Sequence, residues 1–549
     1  MRCDPLSIPT RHGVQLAADL YLADGPPRPT VLLRTPYLRR SLSFLAAEID
    51  PLETARRGYA VVFEDVRGRG EAGGKFRSAG SDVTDGEDTL RWIRSQSWSD
   101  GRVVTAGASY NGVLQLELAA HRPAGLLAMA PAMSGELADI WGLGGALRVT
   151  ALTSWVGILV ETALAGPDSS LTHDELDVLA AYLRADPRER LEAILSEQSP
   201  VHRLAAPVRD WLDLAERSRT VPAAVTTGWE SVPSLHATGW YDFCKRATIR
   251  AFQAGCERSG TKRHLVVGPW THSSADAAGA DSALDPPMPG PELLRQQLQF
   301  FDEVLGLGSS REAEPLPKVR TYKLGRDTWS SHEAWPPPGA APMTYFLRAR
   351  HGNDDGILSD RPAPEGALSY FYDPACPVPS VGSAGTVAGR VGPRDHSGAL
   401  DDRRDVLSFT SDPLTVPLEL CGQVSAELIV DSTAPDTAFV LHVAVVKPDG
   451  RSFNISEGAR DGPLATLPES DYLRGYRTCF VELGDLHVVL ARQDRLRLYV
   501  TSSDYPELIP NPNTGARPTS AWSSRRVAAH QRLACGGPAG SRLQLPRLS

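Results

Sequence analysis

The stretch Arg102–His121 reads RVVTAGASYNGVLQLELAAH. Arg102–Gly107 is a short apolar run of strand character, and Ser109–His121 is helix-like. A strand therefore enters a helix through Gly107-Ala108-Ser109-Tyr110-Asn111-Gly112. A serine on so tight a turn projects above the C-terminal edge of a sheet. The helix N-terminus behind it offers N–H groups and the positive dipole end to an oxyanion. Serine at that position also commonly caps a helix, so the turn alone leaves cap and nucleophile both open.

Working outward, Thr30–Tyr37 (TVLLRTPY), Tyr59–Val66 (YAVVFEDV) and Leu126–Pro131 (LLAMAP) are further strands. Runs this continuous suit strands buried on both faces of a parallel sheet. Asp85–Gln96 supplies a helix between them, and the N-terminal residues alternate in a way that predicts strands. The pattern implies an α/β core with right-handed crossovers. From about Trp141 to Arg219 the strand signal disappears. Thr172-x-x-Glu175 has the form of a capping box, and Asp186-Pro187-x-Glu189 sets a cap, a first-turn proline and an acid in order. Trp211, Leu212, Leu214 and Ala215 would give the last of these helices its apolar face. The α/β pattern resumes with strands Ser234–Trp240 and His264–Trp270 and a strongly amphipathic helix Pro291–Gly306. Lys318–Gly325 is expected to be the last strand of the sheet. After the proline-rich Trp335–Gly339 the chain turns β-rich. Val424–Ser432, Phe439–Val446 and Arg495–Val500 predict a β-sandwich. The expected division is an α/β core over 1–140, a helical cap insertion over 141–230, the second part of the core over 231–340 and a β-sandwich over 341–549.

Composition narrows the function. The chain has 549 residues and a formal charge of −9, without a basic run of the kind that binds nucleic acid. No apolar run reaches the ~18–20 residues a membrane span needs, and the N-terminus lacks a signal-peptide core. The seven cysteines (Cys3, Cys244, Cys256, Cys376, Cys421, Cys479, Cys535) are scattered and odd in number, which predicts reduced thiols and a cytoplasmic location. A homodimer is compatible with this composition.

A nucleophilic serine needs a base, and the base needs an orienting carboxylate. Asp242 follows the strand ending at Trp240, and His272 follows the strand ending at Trp270. The order Ser109, Asp242, His272 is that of the α/β-hydrolases. Taken singly, Asp242 could cap a helix and His272 could be an exposed loop residue. Their order and their shared position after strand ends point to one site.

These residues resemble the cocaine esterase/NonD and X-Pro dipeptidyl-peptidase group of α/β-hydrolases. The likeness is carried by Arg34-Thr-Pro-Tyr37, Asp65-Val-Arg-Gly-Arg-Gly70, Gly107–Gly112, Gly239–Asp242 and Gly268–His272. In the β-rich end it continues through Ser411-Asp-Pro-Leu414, Pro448-Asp-Gly450 and Asn511–Gly515. The form G-x-S-Y-x-G accounts for a second glycine one residue later than in G-x-S-x-G. The resemblance implies an α/β-hydrolase core with an inserted helical cap and a C-terminal, jelly-roll-like β-sandwich. It implies a serine hydrolase that cleaves an ester or amide of a small-molecule, aminoacyl or peptidyl substrate through an acyl-enzyme, with no cofactor and no metal. Ser109 would attack, His272 would act as base and then acid, and Asp242 would orient His272. The Tyr37 hydroxyl and the Tyr110 N–H would form the oxyanion hole. Helix Gly145–Leu164 resembles the group's cap helices, so Trp155 is expected to wall the substrate pocket, as is Phe243 beside Asp242. Asp139, Glu161 and Glu230 are candidates for holding a substrate ammonium.

Other motifs fail on context. Gly68-x-Gly70-x-x-Gly73 matches a dinucleotide fingerprint by letter, but polar residues separate it from the next helix. Gly74-Lys75 lacks the rest of a phosphate loop. The acidic stretch Asp395–Asp405 lacks metal-loop spacing and is expected to be a solvated loop. The competing readings are an acyltransferase using the same three residues and a binding protein with a silent site.

Overall fold

The computed structural model describes residues 1–41, 49–76, 81–165, 171–206, 212, 227–272, 291–307, 314–350, 355–362, 364–382, 384–385, 391–516, 519 and 525–548. A ten-stranded mixed sheet occupies the first part of the chain. It contains β1 (Arg2–Pro9), β2 (Gln15–Leu22), β3 (Arg28–Thr35), β4 (Ala60–Asp65), β5 (Ser99–Ala108) and β6 (Leu126–Ala132). After a small hairpin of β7 (Gly142–Leu143) and β8 (Ala146–Leu147), it is completed by β9 (Ser234–Tyr241), β10 (Arg263–Thr271), β11 (Val319–Lys323) and β12 (Thr328–His332). The spatial order is β1-β2-β4-β3-β5-β6-β9-β10-β11-β12. The strands from β4 to β11 run parallel, and the two ends of the sheet are closed by antiparallel pairs.

The central strands are apolar throughout because both faces are covered. Val31, Leu33, Val61, Phe63, Val104 and Ala106 enter one core, while Leu32, Ala60, Val62 and Val103 enter the other. This is the two-residue period of a pleated strand with no solvent face. The covering helices include α1 (Pro51–Arg56), α2 (Ser81–Arg94) and α3 (Tyr110–Ala120). Helix α2 starts four residues before the expected Asp85.

Between β6 and β9 lie α4 (Leu137–Trp141), α5 (Val149–Ala165), α6 (His173–Arg184), α7 (Pro187–Leu195) and α8 (Pro200–Leu204). The two capping boxes are formed as read, with Thr172 paired to Glu175 and Asp186 to Glu189. Trp211, Leu214 and Ala215 lie outside the described residues, while Leu212 packs on the first core. The β7–β8 hairpin corrects the reading of this stretch as free of strands. Two-residue strands leave no periodic signal. A side chain at its turn residue Gly144 (φ +56°) would run into the Ala459 carbonyl. Helices α9 (Lys245–Arg258) and α10 (Pro291–Leu305) follow β9 and precede β11.

The expectation that Lys318–Gly325 ends the sheet is also corrected. β12 pairs antiparallel to β11 from Val319↔His332 to Lys323↔Thr328. Its sequence, Thr-Trp-Ser-Ser-His, is that of a half-exposed edge strand and carries little apolar alternation. Beyond it, eleven strands from β13 (Ala340–Ala349) to β23 (Arg542–Leu548) form one hydrogen-bonded set around a shared core that includes Val424, Leu428, Leu441, Val443, Leu498 and Leu543. This sheet-rich end is joined to the rest by backbone bonds. Val149 N–H donates to Glu507 O (2.8 Å), Ile509 N–H to Leu147 O (2.9 Å) and Leu324 N–H to His487 O (3.0 Å). All seven cysteines are free thiols, and four of them are buried. No described helix is long and apolar enough to cross a membrane.

Candidate active site

Strands β3, β5, β9 and β10 are parallel members of one sheet, so their C-terminal ends share an edge. Each expected residue leaves such an end: Tyr37 after β3, Ser109 after β5, Asp242 after β9 and His272 after β10. Ser109 has φ +59° and ψ −126°, a conformation costly for a side chain with a Cβ. Its hydroxyl makes no capping bond to α3, which removes the helix-cap reading of this serine. The backbone instead begins the helix, with Gly112 and Val113 N–H donating to Ser109 O. Gly112 is required by close approach rather than by its dihedrals. A Cβ there would lie 2.6 Å from Ser134 Cβ and 3.0 Å from Ala132 O.

His272 Nε2 is 3.1 Å from Ser109 Oγ, and His272 Nδ1 is 2.8 Å from Asp242 Oδ1. A carboxylate can only accept, so the proton sits on Nδ1 and Nε2 presents its lone pair to the serine. The Asp242 side chain is fully buried, and the imidazole is 15% exposed. Two further donors hold the carboxylate, the Cys244 N–H on Oδ1 (2.9 Å) and the Thr238 hydroxyl on Oδ2 (2.7 Å). Asp242 does not cap α9, whose N-cap is Cys244. Phe243 lies against the imidazole, with ring centroids 4.3 Å apart.

The Tyr37 hydroxyl is 3.4 Å from Ser109 Oγ, toward which it donates, and accepts from the Tyr110 N–H at 3.4 Å. Trp155 joins them, its indole N–H donating to the Tyr37 oxygen at 3.2 Å. Phe76, Tyr110, Trp141 and Trp155 form a contiguous aromatic group, with centroids 5.8–6.3 Å apart. Phe76 and Trp141 were missed from sequence because an isolated aromatic carries no spacing signal. Arg69 and Asp82 were missed as supports. Arg69 Nε donates to Pro36 O (2.8 Å), bracing the loop that carries Tyr37, and its guanidinium also meets Thr162 of α5. Asp82 accepts from the Tyr110 hydroxyl at 2.8 Å, and burial raises its carboxyl above the usual range. Arg69 lies in the Asp65–Gly70 motif, whose letters give no sign of this brace.

The carboxylates considered for a substrate ammonium are paired with arginines or exposed. Asp139 is paired with Arg250 (2.9 Å), Glu230 with Arg258 (2.9 Å), and Glu161 lies on the exposed face of α5. The expectation of a solvated loop over Asp395–Asp405 is corrected: the stretch forms a short helix, Ser397–Leu400, with His396 and Leu400 buried, and Asp395 accepts from the Ser397 and Ser452 N–H groups. Two described clusters have metal-ligating atoms close together. In one, Asp242, Cys244 and His272, the Asp242 carboxylate and the His272 ring are already bonded to each other, and His272 to Ser109. In the other, His332, Cys421 and His487, the His487 nitrogens are taken by Thr321 (2.8 Å) and Glu419 (2.9 Å).

Residues 12–274 match the X-Pro dipeptidyl-peptidase family S15, and residues 311–544 match the X-Pro dipeptidyl-peptidase C-terminal non-catalytic domain. The chain is 34% identical to cocaine esterase from Rhodococcus sp. (strain MB1 Bresler), covering 98% of this chain and 97% of that one. It belongs to the X-Pro dipeptidyl-peptidase S15 family. Family membership makes it a serine hydrolase, an esterase or X-Pro dipeptidyl-peptidase-like enzyme. The S15 architecture extends to an aminopeptidase of a marine sediment Thaumarchaeota archaeon (TM-score 0.76, 23% identity, 100% of this chain and 96% of that one). It extends equally to an α-amino acid ester hydrolase (TM-score 0.75, 23% identity, the same coverage). At that identity the likeness establishes the fold: an N-terminal α/β-hydrolase unit and a β-rich C-terminal unit.

Proposed function

We propose that Ser109, His272 and Asp242 act as a catalytic triad that cleaves small-molecule esters of apolar or aromatic acyl groups. The observation that carries the reading is the unbroken chain Ser109 Oγ–His272 Nε2–His272 Nδ1–Asp242 Oδ1, with links of 3.1 and 2.8 Å. Ser109 Oγ attacks the carbonyl carbon as His272 Nε2 takes its proton. The carbonyl oxygen becomes an oxyanion beside the Tyr37 O–H and the Tyr110 N–H, and the positive end of α3 adds to both. His272 passes its proton to the leaving alkoxide, leaving an acyl-serine. A water then repeats the sequence, losing a proton to His272 and releasing the acid. Buried Asp242 holds the imidazole in the required tautomer and stabilises it when charged.

Support for an uncharged acyl group comes from the surroundings. Phe243 lays its ring against the His272 imidazole and Trp155 packs its ring on Tyr110, while Asp139 and Glu230 are spent on arginines. The Rhodococcus relative is likewise an esterase, of cocaine.

A fluorophosphonate probe is expected to label the wild-type chain at one site and to leave Ser109→Ala unlabelled. Equal labelling of both would remove Ser109 as nucleophile. A substrate panel tests the class, with aryl esters expected to turn over faster than aminoacyl or X-Pro amides. The reverse order would make the enzyme a peptidase.

A further inference from the structure

Trp155 donates to an atom of the catalytic machinery, which a pocket wall has no need to do. The Tyr37 hydroxyl is almost wholly buried and carries one proton. Two N–H donors approach its oxygen, from Trp155 (3.2 Å) and Tyr110 (3.4 Å), and its own proton is directed toward Ser109 Oγ (3.4 Å). The two N–H groups occupy lone-pair positions of that oxygen while its O–H is directed at the serine.

The indole itself is held. Its ring packs with Tyr110, Phe76 and Trp141, and α5 is tied at its first residue by the Val149 N–H bond to Glu507 O. During attack the developing oxyanion takes the fixed Tyr110 N–H as a donor, and the Tyr37 O–H rotates to it. The Trp155 N–H stays on the phenol oxygen. As Tyr37 donates, electron density builds on that oxygen, and a donor placed there strengthens with the charge. Such an interaction grows between ground state and transition state, so it acts on kcat rather than on KM.

We infer that Trp155 is a positioning residue for the oxyanion hole, orienting and polarising the Tyr37 hydroxyl through its indole N–H. The inference rests on the reading of Tyr37 as an oxyanion donor. It assigns Trp155 a role beyond lining the pocket.

The test is a double-mutant cycle with a p-nitrophenyl ester, comparing wild type, Trp155→Phe, Tyr37→Phe and the double variant. Trp155→Phe keeps an apolar ring and deletes the N–H. It is expected to lower kcat about tenfold with KM changed less than about twofold. In the Tyr37→Phe background the same substitution is expected to change kcat by less than about twofold. A rise in KM at constant kcat, or an undiminished loss in the Tyr37→Phe background, would overturn the inference while leaving the oxyanion reading intact. An unchanged kcat in Tyr37→Phe alone overturns the oxyanion reading and the inference with it.

A second measurement does not depend on Trp155→Phe folding. In protein labelled with 15N-tryptophan, one of the eleven indole N–H resonances is expected to shift both on Tyr37→Phe and on phosphonylation of Ser109. If no resonance responds to both, the indole is not coupled to the hydroxyl.

Discussion

Residue identity sets the chemistry at each position, and neighbours then adjust it. Glu117 lies on α3 two turns beyond Ser109 and is half-buried. Burial and the nearby Asp82 push its carboxyl up to about 7, with Arg34 pulling the other way. Its unfolded value is near the usual ~4.3. Between these values the folded chain holds more protons than the unfolded one, so stability falls as pH rises through that window and returns on acidification. Glu117→Gln is therefore expected to stabilise the protein by ~2 kcal/mol at pH 8 and to be close to neutral at pH 4. Thermal melts at the two pH values check this, and an equal shift at both would show that the carboxyl is not penalised by the fold. Asp242 shows the opposite use of burial. Its carboxylate receives the Thr238 hydroxyl, the Cys244 N–H and the His272 Nδ1–H, so a buried charge is satisfied on every side.

At the level of elements, the turn between β5 and α3 concentrates the requirements. Ser109 takes a positive φ, and α3 must begin hard against the chain that leaves β6. That chain is held at Ser134 by two hydrogen bonds with Thr248. The Ser134 N–H donates to Thr248 Oγ1 (3.0 Å), and Ser134 O accepts from the same hydroxyl (2.8 Å). Gly112→Ala is expected to cost about 1–3 kcal/mol through overpacking, and to lower kcat as α3 and the Tyr110 N–H are displaced. Ser134→Gly in the same chain should recover most of both losses. Urea titration with parallel kinetics measures them, and a Gly112→Ala variant of unchanged stability would refute the close contact. The group's late glycine thus has a local cause in helix-to-chain packing, one that the spacing of letters does not reveal.

Across the whole molecule, the β-rich end braces the catalytic half. Arg148, at the start of α5, is buried and paired with Glu507, with Glu457 at 3.9 Å. Burial raises Glu507 to about 7 against the pull of Arg148. Arg148→Met would strand that carboxylate and is expected to cost about 3–5 kcal/mol above pH 7. The loss should shrink toward pH 5, where a protonated Glu507 needs no partner. Chemical unfolding at pH 8 and pH 5 tests this, and a pH-independent loss would mean that the arginine contributes packing alone. The same seam carries the Val149 and Ile509 backbone bonds, so the helix bearing Trp155 is anchored from the C-terminal half.

Much of this was legible in the chain. Unbroken apolar runs specified strands covered on both faces, and the two capping boxes marked their helix starts. Ser109, Asp242 and His272 could be listed because each follows a buried strand, and parallel strands deliver their ends to one edge. These are local or periodic properties, and they are written in consecutive residues. The edge strand Thr328–His332, the β7–β8 hairpin, the Arg69 brace under Pro36 and the Trp155 bond to Tyr37 left no such trace. Each depends on groups far apart in sequence meeting at a distance and angle that only the packed chain sets. Sequence thus determined which side chains could do the chemistry, and tertiary structure decided which neighbours aim them, because a hydrogen bond is a matter of direction and composition carries none.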